Sequence, residues 1–184
     1  MSNIAGIDPG LNGAVAILNA DGQVIHAEPL RTIEHGKGQL VDARHLADVL
    51  RTHAVVHSVI ENVATRPGQG IVSNGQFMRA TGTVYGVAAL QGSTGWVTPP
   101  VWKRFHDLLG KSKEDSRKLA LSLFDPTSAV FFTPRRKHLT KRAAQDMADA
   151  ALIARWYTKT GGRTVSQLRR LGLQHLIPGT LEKV

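Results

Sequence analysis

Apolar positions recur along the chain in two periods, and each period marks a different kind of element. Ile4-Ala5-Gly6-Ile7 and Ala14-Val15-Ala16-Ile17-Leu18 flank Asp8-Pro9-Gly10-Leu11-Asn12-Gly13. Short apolar runs bounded by turn residues predict strands, so 3–19 reads as two strands around a turn. Asp21-Gly22 marks a second tight turn, leading into a third strand over Gln23–Leu30. The period then changes. Ala43, Leu46, Ala47 and Leu50 fall at helical spacing, and Val55–Val63 returns to a strand whose apolar part ends at Glu61.

Thr65–Gly75, rich in Gly, Pro, Ser and Asn, reads as a loop. A helix follows over Gln76–Leu90, with Phe77, Ala80, Val84 and Val87 or Ala88 on one side. Gly82 and Gly86 lie one turn apart there, which costs helix propensity and admits another backbone. Trp96-Val97-Thr98 predicts a short fifth strand stopped by Pro99-Pro100. Ser112-Lys113-Glu114-Asp115 reads as a helix capping box, with Leu119, Ala120, Leu123 and Phe124 on the buried face. Pro126–Lys141 reads as an irregular basic loop, Ala143–Tyr157 as the last long helix, and Val165, Leu168 and Leu171 as a short helix near the end. The expectation is an α/β fold: a mixed five-stranded sheet, three antiparallel strands then parallel ones, with helices on both faces. That order, closed by a long helix, is the plan of ribonuclease H-like folds.

Composition narrows the classes. At 184 residues and 42% hydrophobic, the chain suits one domain with a real core, not a disordered or disulfide-stapled one. With no cysteine there is no disulfide, thiolate metal site or cysteine nucleophile. No run approaches the ~18 apolar residues of a membrane span. No signal peptide is visible, so the expected location is intracellular, in the cytoplasm, the nucleoid or the host's equivalent DNA compartment.

The net charge of +9 predicts attraction to a polyanion, most often nucleic acid. It is unevenly spread. Residues 1–61 hold four Lys or Arg against seven carboxylates, a net of −3, so the rest carries +12. Most of that surplus lies between Trp102 and Arg142. Lys103, Lys111, Lys113, Lys141 and Arg142, with Arg66 and the run Arg135-Arg136-Lys137, are the candidate phosphate contacts; a solvated face is the plainer alternative.

Four carboxylates stand where burial makes them awkward. Asp8 and Glu61 each end an apolar strand, and an ionised group there is costly without a partner. Asp146 and Asp149 are three apart and share a helix face that continues as Ile153 and then Trp156 or Tyr157. A turn accounts for Asp8 alone, and the helix dipole for either Asp146 or Asp149 alone. If the two strands are neighbours and the helix packs on them, the four acids meet. Oxygen-only donors suit Mg²⁺ or Mn²⁺, not Zn²⁺. Two such ions about 4 Å apart serve phosphodiester hydrolysis.

At these residues the chain resembles the RuvC family of Holliday junction resolvases. Ile4-Ala5-Gly6-Ile7-Asp8-Pro9-Gly10 with Gly13-Ala14-Val15-Ala16 is similar to that family's first hairpin and first catalytic aspartate. Ile60-Glu61-Asn62-Val63 is similar to its strand-end glutamate, and Gln145-Asp146-Met147-Ala148-Asp149-Ala150-Ala151 to its final acidic helix. Thr98-Pro99-Pro100-Val101-Trp102-Lys103, followed by Lys111-Ser112-Lys113, resembles the segment supplying the active-site lysines.

The resemblance spans roughly residues 3–157. It implies that Asp8, Glu61, Asp146 and Asp149 bind two Mg²⁺, with Mn²⁺ able to substitute, and that Lys103 and Lys113 contact the scissile phosphate or stabilise developing charge. It also implies a homodimer, with Gln76–Leu90 as dimer helix, making paired nicks across a four-way junction and leaving 5′-phosphate and 3′-hydroxyl ends. On this reading residues 1–160 form the nuclease domain and 161–184 a C-terminal extension. Three features depart from the pattern. Where bacterial members carry a wedging aromatic this chain has about Ala64, and the nearest aromatic, Phe77, lies further on. The approach to the last helix is longer and more basic, and the extension lies outside the resemblance.

Other chemistries fit less well. The eight histidines are scattered along the chain, Ser73, Ser93 and Ser112 have no paired histidine, and Gly110-Lys111-Ser112 lacks the upstream glycine of a phosphate loop, with Phe105 in its place. An actin-like kinase fold shares the opening hairpin but needs two domains. A nuclease for flaps and forks, or a junction-binding protein that does not cut, are the remaining rivals.

Overall fold

The fold rests on a computed structural model that describes residues 2–36, 38–64, 68, 70–134 and 139–177. Strands β1 (Asn3–Asp8), β2 (Ala14–Leu18) and β3 (Val24–Pro29) form the antiparallel meander. After α1 (Ala43–Thr52) the chain enters β6 (Val55–Glu61), which pairs parallel with β1. Helix α2 (Ile71–Gln91) crosses back to β7 (Ser93–Val97), parallel to β6, and closes a five-stranded sheet in the order β3-β2-β1-β6-β7. Then come α3 (Pro99–Phe105), α4 (Lys113–Leu123), α5 (Ala129–Phe132), α6 (Lys141–Thr160) and α7 (Val165–Arg170). The mixed sheet with helices on both faces is therefore as expected.

Strand alternation sorts the core into two layers. Ala5, Ile7, Val15, Ile17 and Ile60 face α1 and α2, meeting Leu46 and Leu50 of the first and Ala80, Val84 and Ala88 of the second. On the other face, Ala14, Ala16, Leu18 and Val59 meet α6 and the helices around it, including Trp102, Phe105 and Phe132. Ile4, Gly6 and Asp8 share a parity, as do Val59 and Glu61, so both strand-end acids turn toward α6. Gly6 fixes how near that helix comes. A Cβ there would lie 2.1 Å from the Ala150 carbonyl oxygen and 2.6 Å from the Ala154 nitrogen. Only hydrogen lets α6 lie this close to β1.

Several local readings change. A two-stranded hairpin, β4 (Thr32–His35) with β5 (Gly38–Val41), precedes α1 and was not anticipated. Its strands are short, and only Val41 is buried. Helix α2 begins at Ile71, inside the stretch read as loop. It has no side-chain cap and contains Gly75, so local signals are weak, and Ala80, Val84 and Ala88 anchor it instead. The fifth strand starts earlier, at Ser93, and Pro99-Pro100 open a helix, where a missing N–H costs nothing. Within the expected 126–141 loop, Ala129–Phe132 forms a helical turn that buries Phe132. In α4, Ala120 is buried as expected, but Leu123 is 37% exposed and Ser116 takes a buried place. His106 ties α3 to α6 by donating from Nε2 to the Leu152 carbonyl at 2.9 Å, and burial lowers its pKa to about 4.

Candidate active site

Asp8, Glu61, Asp146 and Asp149 meet at one end of the sheet, in a cleft of about 530 Å³ that also takes in Lys103, Lys113 and Arg142. Each element delivers its residue for a local reason. Asp8 ends β1 where the 8–13 turn begins. A Cβ at Gly13 would lie 2.0 Å from the Asp8 carbonyl oxygen, so the turn closes this tightly only around glycine. Glu61 ends the neighbouring parallel strand. Asp146 and Asp149 sit one turn apart on the α6 face that Gly6 admits to the sheet. Lys113 opens α4, held by the Ser112 cap and the reciprocal Asp115 contact.

The acids are buried more than they are paired. Asp146, Asp149 and Glu61 are 2%, 4% and 8% exposed. Lys113 Nζ lies among three of them, 2.5 Å from Asp146 Oδ1, 3.6 Å from Asp149 Oδ2 and 3.8 Å from Asp8 Oδ2. Arg142 adds a contact of 3.8 Å to the far oxygen of Asp146. Glu61 is held differently: the Trp102 indole N–H donates to its Oε1 at 2.7 Å.

These cations fall short of what burial demands. Burial pushes the Asp8 pKa well up, and repulsion from Glu61 adds to it, against the pull of Lys113. Burial also raises Glu61, against the Trp102 hydrogen bond, and raises Asp149, against Lys113 and the Ser116 hydroxyl. Asp149 Oδ1 is buried with no hydrogen-bond partner. For Lys113, burial pulls downward, but Asp8, Asp146 and Asp149 more than reverse it, and its pKa rises.

A divalent cation fits this donor set. The available donors are all carboxylate oxygens, one of them without a hydrogen-bond partner, and a lysine ammonium stands among them. The acids surround that ammonium; among the described residues no three His, Asp or Glu converge as a ready-made metal cage.

Three solved structures share this architecture. Thermus thermophilus RuvC in complex with a Holliday junction substrate superposes with a TM-score of 0.60 at 17% identity, covering 94% of this chain and 98% of that one. The Thermus thermophilus RuvC structure gives 0.59 at 17% identity, over 88% of this chain and 98% of that one. The yeast mitochondrial Holliday junction resolvase Ydc2 gives 0.57 at 17% identity, over 85% and 78%. The chain has the fold of the RuvC-type resolvases. No family model and no curated protein matches its sequence.

On that RuvC-type fold the sequence-chosen residues divide into three groups. The four acids with Lys103, Lys113 and Arg142 line the cleft. Lys111 and Lys141 stand outside its lining, ion-paired to Asp107 at 3.0 Å and Glu114 at 3.2 Å. Arg66, Arg135, Arg136 and Lys137 lie outside the described residues.

Sequence reasoning missed Trp102, which holds Glu61 on one side and carries Lys103 Nζ 5.3 Å from its ring centroid on the other. Its signal was a tryptophan directly before a site lysine. It also missed Glu114, which joins Arg117, Lys141 and Gln145 and so ties the start of α4 to the start of α6. Phe77 lines the cleft beside Gly10.

Proposed function

We propose that this chain is a metal-dependent endonuclease that cuts branched DNA, four-way junctions foremost. One observation carries the reading: four acids from three separate elements meet in one cleft with Lys103, Lys113 and Arg142, in a chain whose net charge is +9. A basic protein that collects acids at one spot has a use for cations there, and its remaining surface suits a polyanion.

Asp8, Glu61, Asp146 and Asp149 are the proposed ligands of two Mg²⁺, with Mn²⁺ as substitute. Bound there, the ions would supply water activation at neutral pH and neutralise charge gathering at phosphorus. The chain's own residues do the rest. Lys103, Lys113 and Arg142 hold the phosphodiester oxygens over the acids. The Trp102 N–H occupies Glu61 Oε1 and leaves Oε2 for a cation. Water adds to phosphorus and the P–O3′ bond breaks, leaving a 5′-phosphate and a 3′-hydroxyl. The domain assignment is a nuclease domain over 1–160 with an extension over 161–184.

The exposed side of α2 supports a homodimer. Its outer side exposes Met78 at 59%, Tyr85 at 41% and Leu90 at 86%, and Cβ atoms at Gly75, Gly82 and Gly86 would meet nothing. An apolar strip with open glycine positions suits a second copy of the helix at short range. Among the described residues no helix is long and apolar enough to cross a membrane.

The test compares a four-way junction, a flap, a fork and a linear duplex, each with Mg²⁺ or EDTA, using wild type and Asp8→Asn. Symmetric Mg²⁺-dependent nicks confined to the junction are expected. Equal cutting of flaps and forks makes the protein a general branched-DNA nuclease. Tight junction binding without cutting in Mg²⁺ or Mn²⁺ makes it a binding protein.

A further inference from the structure

The stretch from Ala150 to Ile177 carries Arg155, Lys159, Arg163, Arg169 and Arg170 and not one Asp or Glu. It is a built element, not a loose tail. Gly161 ends α6 in the left-handed conformation, and Thr164 and Gln167 cap α7 reciprocally. Leu168 is fully buried, and the Leu173 N–H returns to the Leu168 carbonyl at 2.9 Å. Helix α7 packs on α3, the helix that brings Lys103 into the cleft and exposes Arg104.

Arg169 and Arg170 end α7 and are exposed, as are Arg163 and Lys159. Among the described residues none of these four, nor Arg104, has a carboxylate within ion-pair distance, whereas Lys111, Arg117 and Lys141 each do. Two arginines at a helix C-terminus complement its dipole, which accounts for one of them on a short helix. It leaves the other, and Arg104 and Lys159, without a carboxylate partner among the described residues, while Arg163 Nη1 donates to the Thr160 carbonyl at 3.3 Å. Exposed guanidinium groups without carboxylate partners among the described residues, on a helix packed against α3, suit the phosphates of a duplex.

We propose that α7 and the outer side of α3, through Arg104, Arg169 and Arg170, form a second DNA-contact surface that grips the phosphate backbone of a duplex arm leading away from the cleft. This rests on the nuclease reading and deepens it: the C-terminal extension sets how much duplex beside the branch the protein holds. Affinity and its salt dependence come partly from this surface. The rate of cutting at saturation does not, because no residue here lines the cleft.

The experiment measures binding to a four-way junction across a salt series in EDTA, for wild type and for Arg104→Gln/Arg169→Gln/Arg170→Gln. Three lost phosphate contacts should reduce the slope of log affinity against log salt by about 2 to 3, and weaken binding roughly tenfold or more at physiological salt. The same variant should cut at the wild-type rate when saturated with junction. Trimming the arms to less than one helical turn should bring wild type down to the variant. Arg169→Lys/Arg170→Lys keeps the charge and should keep the slope, which separates charge loss from a disturbed α7; equal melting temperatures check folding directly. An unchanged slope in the glutamine variant overturns the proposal while leaving the nuclease reading intact. Wild-type protein that binds no DNA overturns both.

Discussion

Glu28 and Glu114 are carboxylates with company; Asp8, Glu61 and Asp149 are carboxylates without enough of it. Burial acts to raise the Glu28 pKa, but His26, 3.6 Å away, and His45 more than reverse it, and the pKa falls. Glu114 goes lower still, to about 2, because Arg117 and Lys141 both reach it. In the cleft the direction is opposite, because burial and mutual repulsion outweigh Lys113. A carboxylate whose partners hold it ionised is fastening the fold: Glu28 joins β3 to α1, and Glu114 joins α4 to α6. A carboxylate held buried at a cost to its own ionisation suits the proposed cation site. For these five acids the direction of the shift follows the balance of burial and repulsion against paired partners.

The largest effect should come from removing one acid of each kind. Asp8→Asn should lower junction cleavage on the order of a thousandfold while leaving junction binding in EDTA largely intact. Glu28→Gln should leave cleavage at the wild-type rate. A Glu28 variant as dead as the Asp8 variant would erase the distinction.

Next in size is the effect of the proposed cation. Mg²⁺ at about a hundred times its Kd stabilises a folded protein by about 2.7 kcal/mol, or about 5–10 °C in melting temperature for a domain of this size. Wild type without DNA should show that rise over its value in EDTA, and Asp146→Asn/Asp149→Asn should not. A rise that survives in the double variant would place the ion elsewhere.

A smaller change tests how Glu61 is held. Trp102→Phe keeps the buried ring and removes the N–H, and partners of that kind are worth about ten- to a hundredfold in activity or metal affinity. Cleavage should fall about tenfold, with the Mg²⁺ concentration for half-maximal cutting raised and binding in EDTA unchanged. Wild-type Mg²⁺ dependence would reduce the indole to a packing group.

Much of this was legible in the sequence because it obeys local rules. Asp8 and Glu61 stand at the ends of apolar strands, Asp146 and Asp149 share a face, and Ser112 caps a helix, all of which follow from spacing. The start of α2 was not legible. Gly70 offers no side-chain cap and Gly75 sits inside the helix, so packing of Ala80, Val84 and Ala88 decides. The histidines show the same limit. His26, His45 and His53 are scattered in sequence, but β3 against α1 puts two of them on Glu28 and stacks His26 on His53 with centroids 4.6 Å apart. Trp102 was visible as a letter, but its hydrogen bond depends on where β6 ends. Periodicity shows which face a residue is on, and only tertiary packing shows which other residue it meets there.

The smallest effect is also the one that most directly tests the contrast, because it depends on sign. The Asp8 pKa is raised in the fold, so from its unfolded value of 3.8 upward the folded state holds the proton longer, and stability falls as pH rises through that window. The Asp8→Asn protein has no such loss. It should be more stable than wild type at pH 7, and the difference should shrink as pH falls through the raised pKa. Glu28 runs the other way. Its folded pKa lies below 4.5, so its contribution is present above 4.5 and lost as pH falls through the lowered value. Glu28→Gln should be less stable than wild type at pH 7 by about 1 kcal/mol, allowing for a partly buried site, with the gap closing as pH falls through the lowered pKa. Denaturant melts of the three proteins in EDTA, from pH 3 to pH 8, would show it. Two differences of the same sign at neutral pH would mean that the cleft acids are as well satisfied as Glu28.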